Sequence, residues 1–277
     1  MECFTQPTMM PLVVAESSRF TVCGQAHLMH GWLREPVIVR SDGFVIPDPD
    51  GYMLIRYGKY FRRNGYRVKN FDTSNLRISA RYNPFSYARS DAGISKLVTA
   101  FIAGTTGAGK PGDMRFAATE ALLLAALFAY VCNETFIEER NIGSVIELLK
   151  HMLPDEGSWR YFNDTDYLHA VDFLFEDLTE LSPNCLAAKN YRDFKHVAGT
   201  NAGAVTMSCA GRLKPFSSKA MKNYFSKDSL CLDDFRGYGG RKTALFVSAG
   251  QSGTYDFLAQ LIYTQLFDIL FEKGSGC

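Results

Sequence analysis

The tightest constraint on what this chain can fold into lies near its C-terminal end. Lys242-Thr243-Ala244-Leu245-Phe246-Val247 is a short apolar run, preceded by Gly237-Tyr238-Gly239-Gly240 and followed by Gly250-Gln251-Ser252-Gly253. An apolar run of that length between turn signals predicts a buried strand. Beyond it Asp256, Gln260, Thr264, Asp268 and Glu272 recur at every fourth position. Leu258, Leu261, Ile262, Leu266 and Ile269 lie between them, which predicts an amphipathic helix with one wet stripe. A strand feeding a helix through a glycine-rich turn is half of a β-α-β unit. Taken alone, this pattern describes core and assigns no chemistry.

Two further strands are predicted near the start. Gly43-Phe44-Val45-Ile46-Pro47 runs into the turn Asp48-Pro49-Asp50-Gly51, Tyr52 to Arg63 reads as helix, and Gly65 to Phe71 alternates polar with apolar side chains. Strand, helix and strand in that order point to a parallel α/β sheet. The texture changes after Asn83-Pro84, and from Ile94 to about Phe216 nearly everything reads as helix. Met114 to Cys132 is apolar almost all round in its second half, as a helix buried inside a helical domain would be. Asn141 is placed to cap Ile142 to Leu153, Tyr167 to Leu181 forms a further helix, and Pro183 suits the first turn of the next. An all-helical segment inserted into an α/β sheet is the simplest account. Residues 1 to 40 show no clear period and read either as strands or as an irregular lead-in.

Charge follows the same division. Glu134 to Glu180 holds twelve acids against Arg140, Lys150 and Arg160, although the whole chain carries a net charge of only +1. Gly51 to Phe71 has six Lys or Arg and no acid, and so does Phe194 to Lys227. Such blocks are either solvated faces or surfaces for phosphate. Phe216, Tyr224 and Phe225 interleave the second block in a way that would suit stacking on bases. Seven cysteines without a CxxC pair suggest reduced thiols in a cytosolic protein. Cys23, His27 and His30 have loose metal spacing but no fourth ligand nearby, so no metal is expected. Glu2 stands where a signal peptide would be basic, and Ala121 to Cys132 is too short to span a bilayer, so no membrane anchor is expected.

Gly104-Thr105-Thr106-Gly107-Ala108-Gly109-Lys110 has the glycine and lysine spacing of a phosphate loop. In a working loop the next residue is Ser or Thr, whose hydroxyl holds magnesium; here it is Pro111, which has neither hydroxyl nor amide hydrogen. Such a loop also follows a strand and opens a helix, whereas this one follows the helical pattern Ile94 to Ile102. The motif is therefore read as a mimic. No GxSxG, HExxH or EF-hand loop is present.

Taken together and in order, several segments resemble the TraG-like type IV coupling proteins. They are Phe44 to Gly51, Gly65-Tyr66-Arg67-Val68, Tyr82-Asn83-Pro84-Phe85, Gly107 to Asp113, Glu120 to Leu123, Arg212 to Phe216, Lys242 to Val247 and Tyr263 to Phe267. The resemblance covers roughly residues 44 to 273. It implies an α/β fold: a partial RecA-like P-loop ATPase sheet with an inserted all-α domain. The expected divisions are a lead-in at 1–43, a first α/β segment at 44–88, the all-α insert at 89–210 and a second α/β segment at 211–277. It also implies conjugative DNA transfer at the cytoplasmic side of a membrane, in hexameric rings that pass relaxase-bound single-stranded DNA to a secretion channel. The expected partners are accordingly single-stranded DNA, relaxase or relaxosome proteins, channel components and further copies of the chain.

Departures from the family pattern shape what is expected of the chemistry. Residues 1 to 43 contain no GxxxxGK[ST], and the family's acidic Walker B strand would follow about where Cys277 stands. Asp50 and Tyr52 replace the usual Lys and Glu, the aromatic pair is reduced to Arg115-Phe116, and Ser248 to Gly253 replaces an acidic segment. Phosphoryl transfer depends on the phosphate cradle and the magnesium carboxylate. The intact family uses ATP and magnesium; no cofactor is expected for this chain alone. No catalytic residue is assigned. Asp48 and Gly51 are the candidates for lying beside nucleotide, and Arg212, Lys214, Lys219 and Lys222 the candidates for contacting DNA. Two other readings stay open at this level: a nucleotide-binding protein using Gly104 to Lys110, and a non-catalytic helical module that binds a protein partner.

Overall fold

A computed structural model describes residues 12–16, 19–23, 43–105, 114–153, 170–236, 242–249 and 253–271. His27, His30, Gly109, Lys110 and the glycine turns around 239 and 251 lie outside the described residues. In chain order the elements begin with β1 (Leu12–Glu16), β2 (Arg19–Cys23), β3 (Gly43–Pro47), α1 (Tyr52–Arg63) and β4 (Tyr66–Asp72). Then come α2 (Asp91–Thr105), α3 (Met114–Glu134), α4 (Ile142–His151), α5 (Ala170–Leu181), α6 (Leu186–Ala198), α7 (Ala202–Leu213) and α8 (Lys219–Phe225). The chain finishes with β5 (Lys242–Ser248) and α9 (Phe257–Phe271). It divides into two compact units, one formed by Met1–Tyr82 with Asp228–Cys277 and the other by Asn83–Lys227.

The first unit is built on a sheet of order β2-β1-β3-β5-β4. Strands β3, β5 and β4 are parallel, with Val45 opposite Leu245 and Leu245 opposite Lys69. The crossover from β3 through α1 to β4 leaves one strand position open, and β5 fills it after the whole helical unit has intervened. A strand flanked on both edges and covered on both faces must be apolar throughout, which is why the run at 242–247 shows no alternation. On the other side β1 joins β3 antiparallel, with Val14 opposite Phe44, and β2 pairs antiparallel with β1. The lead-in therefore contains strands, the first of the two readings left open, each only five residues long and too short to declare a period.

Helix α1 forms because Met53, Leu54, Tyr57 and Phe61 repeat at helical spacing and pack on the sheet. Gly65, at φ +84°, ends it by turning the chain into β4, and its N–H donates to the carbonyl of Arg62. Phe61 is fully buried and meets Phe246 edge to face, with centroids 5.7 Å apart and planes at 83°. In α9, Gln260 and Thr264 are exposed while Leu258, Ile262 and Leu266 are buried. Gln265 breaks that pattern: it is buried, and it accepts a 2.6 Å hydrogen bond from Tyr82 Oη.

In the helical unit α3 is the central element, contacting α2, α4, α6 and α7. Its Phe116–Glu134 stretch is long and apolar enough to cross a membrane, longer than the run visible as uniformly apolar in the sequence. Here it forms core, with Leu123, Leu127 and Phe128 buried. Asn141 caps α4 by accepting from Gly143 N at 2.8 Å. Helix α6 starts later than Pro183 suggests: it begins at Leu186, and Cys185 is the capping residue. The described cysteines Cys132, Cys185, Cys209 and Cys231 are free, and burial pushes the Cys132 thiol up to about 12.

Candidate functional site

Open parallel sheets bind ligands beyond the carboxyl ends of their strands. In the first unit that edge carries Asp48 after β3, Asp72 at the end of β4 with Thr73 after it, and Ser248 at the end of β5. Asp48 is 1% exposed. Its Oδ1 accepts from Met53 N at 2.9 Å and its Oδ2 from Leu54 N at 2.8 Å. Its own N–H donates to the Val247 carbonyl at 2.9 Å, and Ser248 Oγ donates to its carbonyl at 2.7 Å. Gly51 makes this possible at φ +69°, where a side chain would be strained, by curling the turn so that Asp48 reaches over the end of α1. The amides at a helix N-terminus are the usual seat for a phosphate. Here a carboxylate from the chain itself occupies them.

Neighbouring acids are committed in the same way. Asp72 Oδ1 accepts from Ser74 N and Asn75 N, and Asp256 Oδ1 accepts from Thr73 Oγ1 at 2.6 Å. No group of three His, Cys, Asp or Glu among the described residues could hold a metal. Asp48 and Gly51 lie beyond the end of β3, where Asp48 itself accepts from the helix amides that an anion would use. Gly104 lies in the last turn of α2, so the stretch that resembles a phosphate loop leaves a helix C-terminus, where the dipole repels phosphate.

The second basic block has three different fates. Arg212, at 16% exposure, is turned inward: Nη2 and Nε donate to Glu120 Oε2 at 2.7 and 2.9 Å, and Nη1 donates to the Ile102 carbonyl at 3.3 Å. Glu120 is 1% exposed and also accepts from Ser208 Oγ. Lys222 pairs with Glu147 of α4. Lys214 and Lys219 are exposed. Phe216, Tyr224 and Phe225, the residues whose spacing suits stacking on bases, are buried. Phe216 packs against Phe101 and Phe225 at 5.4 and 5.3 Å, so core packing has claimed these rings.

The first basic block is the more open. Arg56, Lys59, Arg62 and Arg63 of α1 and Arg67 of β4 are all exposed, beside Tyr52 at 53% and Ile55 at 80%. None of these five cations makes an ion pair among the described residues. Arg56 donates to Tyr52 Oη at 3.0 Å and Tyr57 Oη at 3.3 Å. The hydrogen bond to Tyr57, with help from the neighbouring Tyr52 phenol, holds its pKa above the ordinary arginine value. Reading α1 by phase would have found this face, because Met53, Leu54, Tyr57 and Phe61 turn to the sheet and leave Arg56, Lys59 and Arg63 opposite.

No curated protein matches the chain. Residues 36–275 match a family model described as type IV secretory system conjugative DNA transfer. The match runs through both units, and the chain belongs to the type IV secretory system conjugative DNA transfer family.

Proposed function

We propose that this chain is a TraG-like coupling component, or a fragment of one, that holds relaxase-bound single-stranded DNA and presents it to the transfer channel without hydrolysing ATP by itself. The observation that carries this reading is the interruption of one parallel sheet by a helical unit. Strands β4 and β5 are hydrogen-bonded neighbours, yet Asn83–Lys227 lies between them in sequence. That is the layout of a RecA-like scaffold with an inserted all-α domain, with residues 44–82 and 228–273 as scaffold. Relaxosome and channel proteins, further copies in a ring, and a location at the cytoplasmic face of the membrane complete the reading.

The residues at the strand ends do not fit ATP and magnesium. Asp48 fills the helix amides, and Asp72 and Asp256 are spent on local hydrogen bonds. A phosphate brought there would meet carboxylates at close range, which is repulsive in a partly buried setting. We therefore expect the purified chain to release no more inorganic phosphate from magnesium ATP than a buffer blank, and Lys110→Ala to change nothing. Turnover above the blank that disappears in Lys110→Ala would establish nucleotide use through Gly104 to Lys110 instead.

A protein-binding role for the helical unit has its own support. Helix α5 exposes Phe173 and Leu181 alongside Glu176, Asp177 and Glu180. An exposed surface on which apolar and acidic side chains interleave suits a basic, amphipathic segment of a relaxosome protein.

A further inference from the structure

We infer that the outer face of α1 is a docking stripe for the backbone of single-stranded DNA, distinct from Lys214 and Lys219 of the helical unit. The inference rests on the reading that single-stranded DNA is the cargo, and names a surface for it. At 3.6 residues per turn Tyr52, Arg56, Lys59 and Arg63 fall within about 60° of one another, and the cations span about 10 Å along the axis. No acid occurs between Gly51 and Phe71 to neutralise them. Cations that make no ion pair among the described residues and share one stripe are suited to phosphates that follow one another along a strand.

The stripe is also prepared for binding. Phe61 fixes the inner side of α1 in the core formed with Phe44, Tyr66 and Phe246, so the helix itself has little freedom left to lose. Arg56 is already ordered by two tyrosine hydroxyls, with its guanidinium 5.9 Å from the Tyr52 ring centroid and 5.6 Å from that of Tyr57. Tyr52 sits at the head of the stripe with half its surface open, where an unstacked base can lie on it. Paired bases in a duplex offer no such face. An anionic membrane is the other polyanion to consider. Membrane-surface helices bury a broad apolar face in the lipid, but in α1 Met53, Leu54 and Phe61 face the sheet. Only Tyr52 and Ile55 remain on the outside.

The test uses the full chain and a fluorescein-labelled oligo-dT, followed by anisotropy at increasing potassium chloride. The combined variant Arg56→Gln, Lys59→Gln, Arg63→Gln should bind about a hundredfold more weakly at about 0.1 M salt, with the log–log salt slope shallower by about 2. Tyr52→Ala should weaken binding about tenfold and leave the slope unchanged, as loss of stacking does and loss of charge does not. Wild type that fails to bind the oligonucleotide overturns the coupling reading, and the inference with it. Wild type that binds, with the combined variant unaffected and Lys214→Gln, Lys219→Gln impaired, overturns the inference alone. A combined variant that loses phosphatidylserine vesicles but keeps the oligonucleotide also overturns it, and makes the stripe a lipid surface.

Discussion

Replacing Arg212 with Ala will destabilise the helical unit by about 3–5 kcal/mol, because it leaves a carboxylate buried without its counter-charge. The carboxylate is that of Glu120, and Arg212 supplies both of its charged hydrogen bonds from α7. Ser208 can still donate to it, but a hydroxyl does not offset the cost of desolvating a full charge. The pair ties α3 to α7, and through the Ile102 carbonyl it ties both to the end of α2. With a denaturant slope of about 2 kcal/mol per molar urea, the loss should lower the unfolding midpoint by about 1.5 M or more. Far-ultraviolet circular dichroism follows it directly. Arg212→Lys keeps the charge but not the planar fork, and should fall between wild type and Ala. Replacing both partners with Met should recover most of the stability, since an apolar pair of similar volume avoids the desolvation cost. If Arg212→Ala instead unfolds like wild type, the pair is not the clamp described here. Any weakening of DNA binding by Arg212→Ala is expected to follow from this loss of structure, whereas Lys214 and Lys219 can be altered at little cost in stability.

Phe61→Ala has an effect of similar size in the other unit, about 3–5 kcal/mol for a buried Phe truncated in a packed core. Phe61 touches three other rings: Phe44 at 5.4 Å, Tyr66 at 5.4 Å and Phe246 at 5.7 Å. Those rings belong to β3, β4 and β5, so one side chain on α1 gathers all three parallel strands. Edge-to-face pairs of this kind add about 0.5–1.5 kcal/mol each beyond area burial. Phe61→Leu, which keeps most of the volume, should cost markedly less. Hydrogen exchange provides the check. In Phe61→Ala the amides of α1 should lose protection before those of α3, and equal protection in variant and wild type would contradict the packing assigned to this ring.

Local periodicity made the α/β framework legible. Tyr52–Arg63 carries one apolar face from end to end, and β5 and α9 are bracketed by glycines, so each declares itself within a single window. Asn141 was readable because its side-chain oxygen is one of the preferred caps. Cys185 was not, since sulfur is a weak acceptor seldom found in that position. Strands β1 and β2 stayed one of two open readings, because five residues each are too few to establish a period. The site was harder still. Arg212 looked like a surface cation because its partner Glu120 lies 92 residues away, beyond any local window. The stacking role suggested by Phe216, Tyr224 and Phe225 failed for the same reason: the rings that bury Phe216 include Phe101, from a different helix. What local phase did hold was the basic stripe of α1, whose residues follow one another in a single helix.

The central claim is that this chain holds single-stranded DNA by charge and needs no nucleotide to do so. Its most direct test is the affinity of the wild-type chain for oligo-dT across a salt series, measured with and without magnesium ATP. The expected result is binding that weakens linearly on a log–log plot as salt rises, with slopes and midpoints that coincide in the two conditions. Binding that appears only with magnesium ATP, or that ignores salt, would contradict the claim.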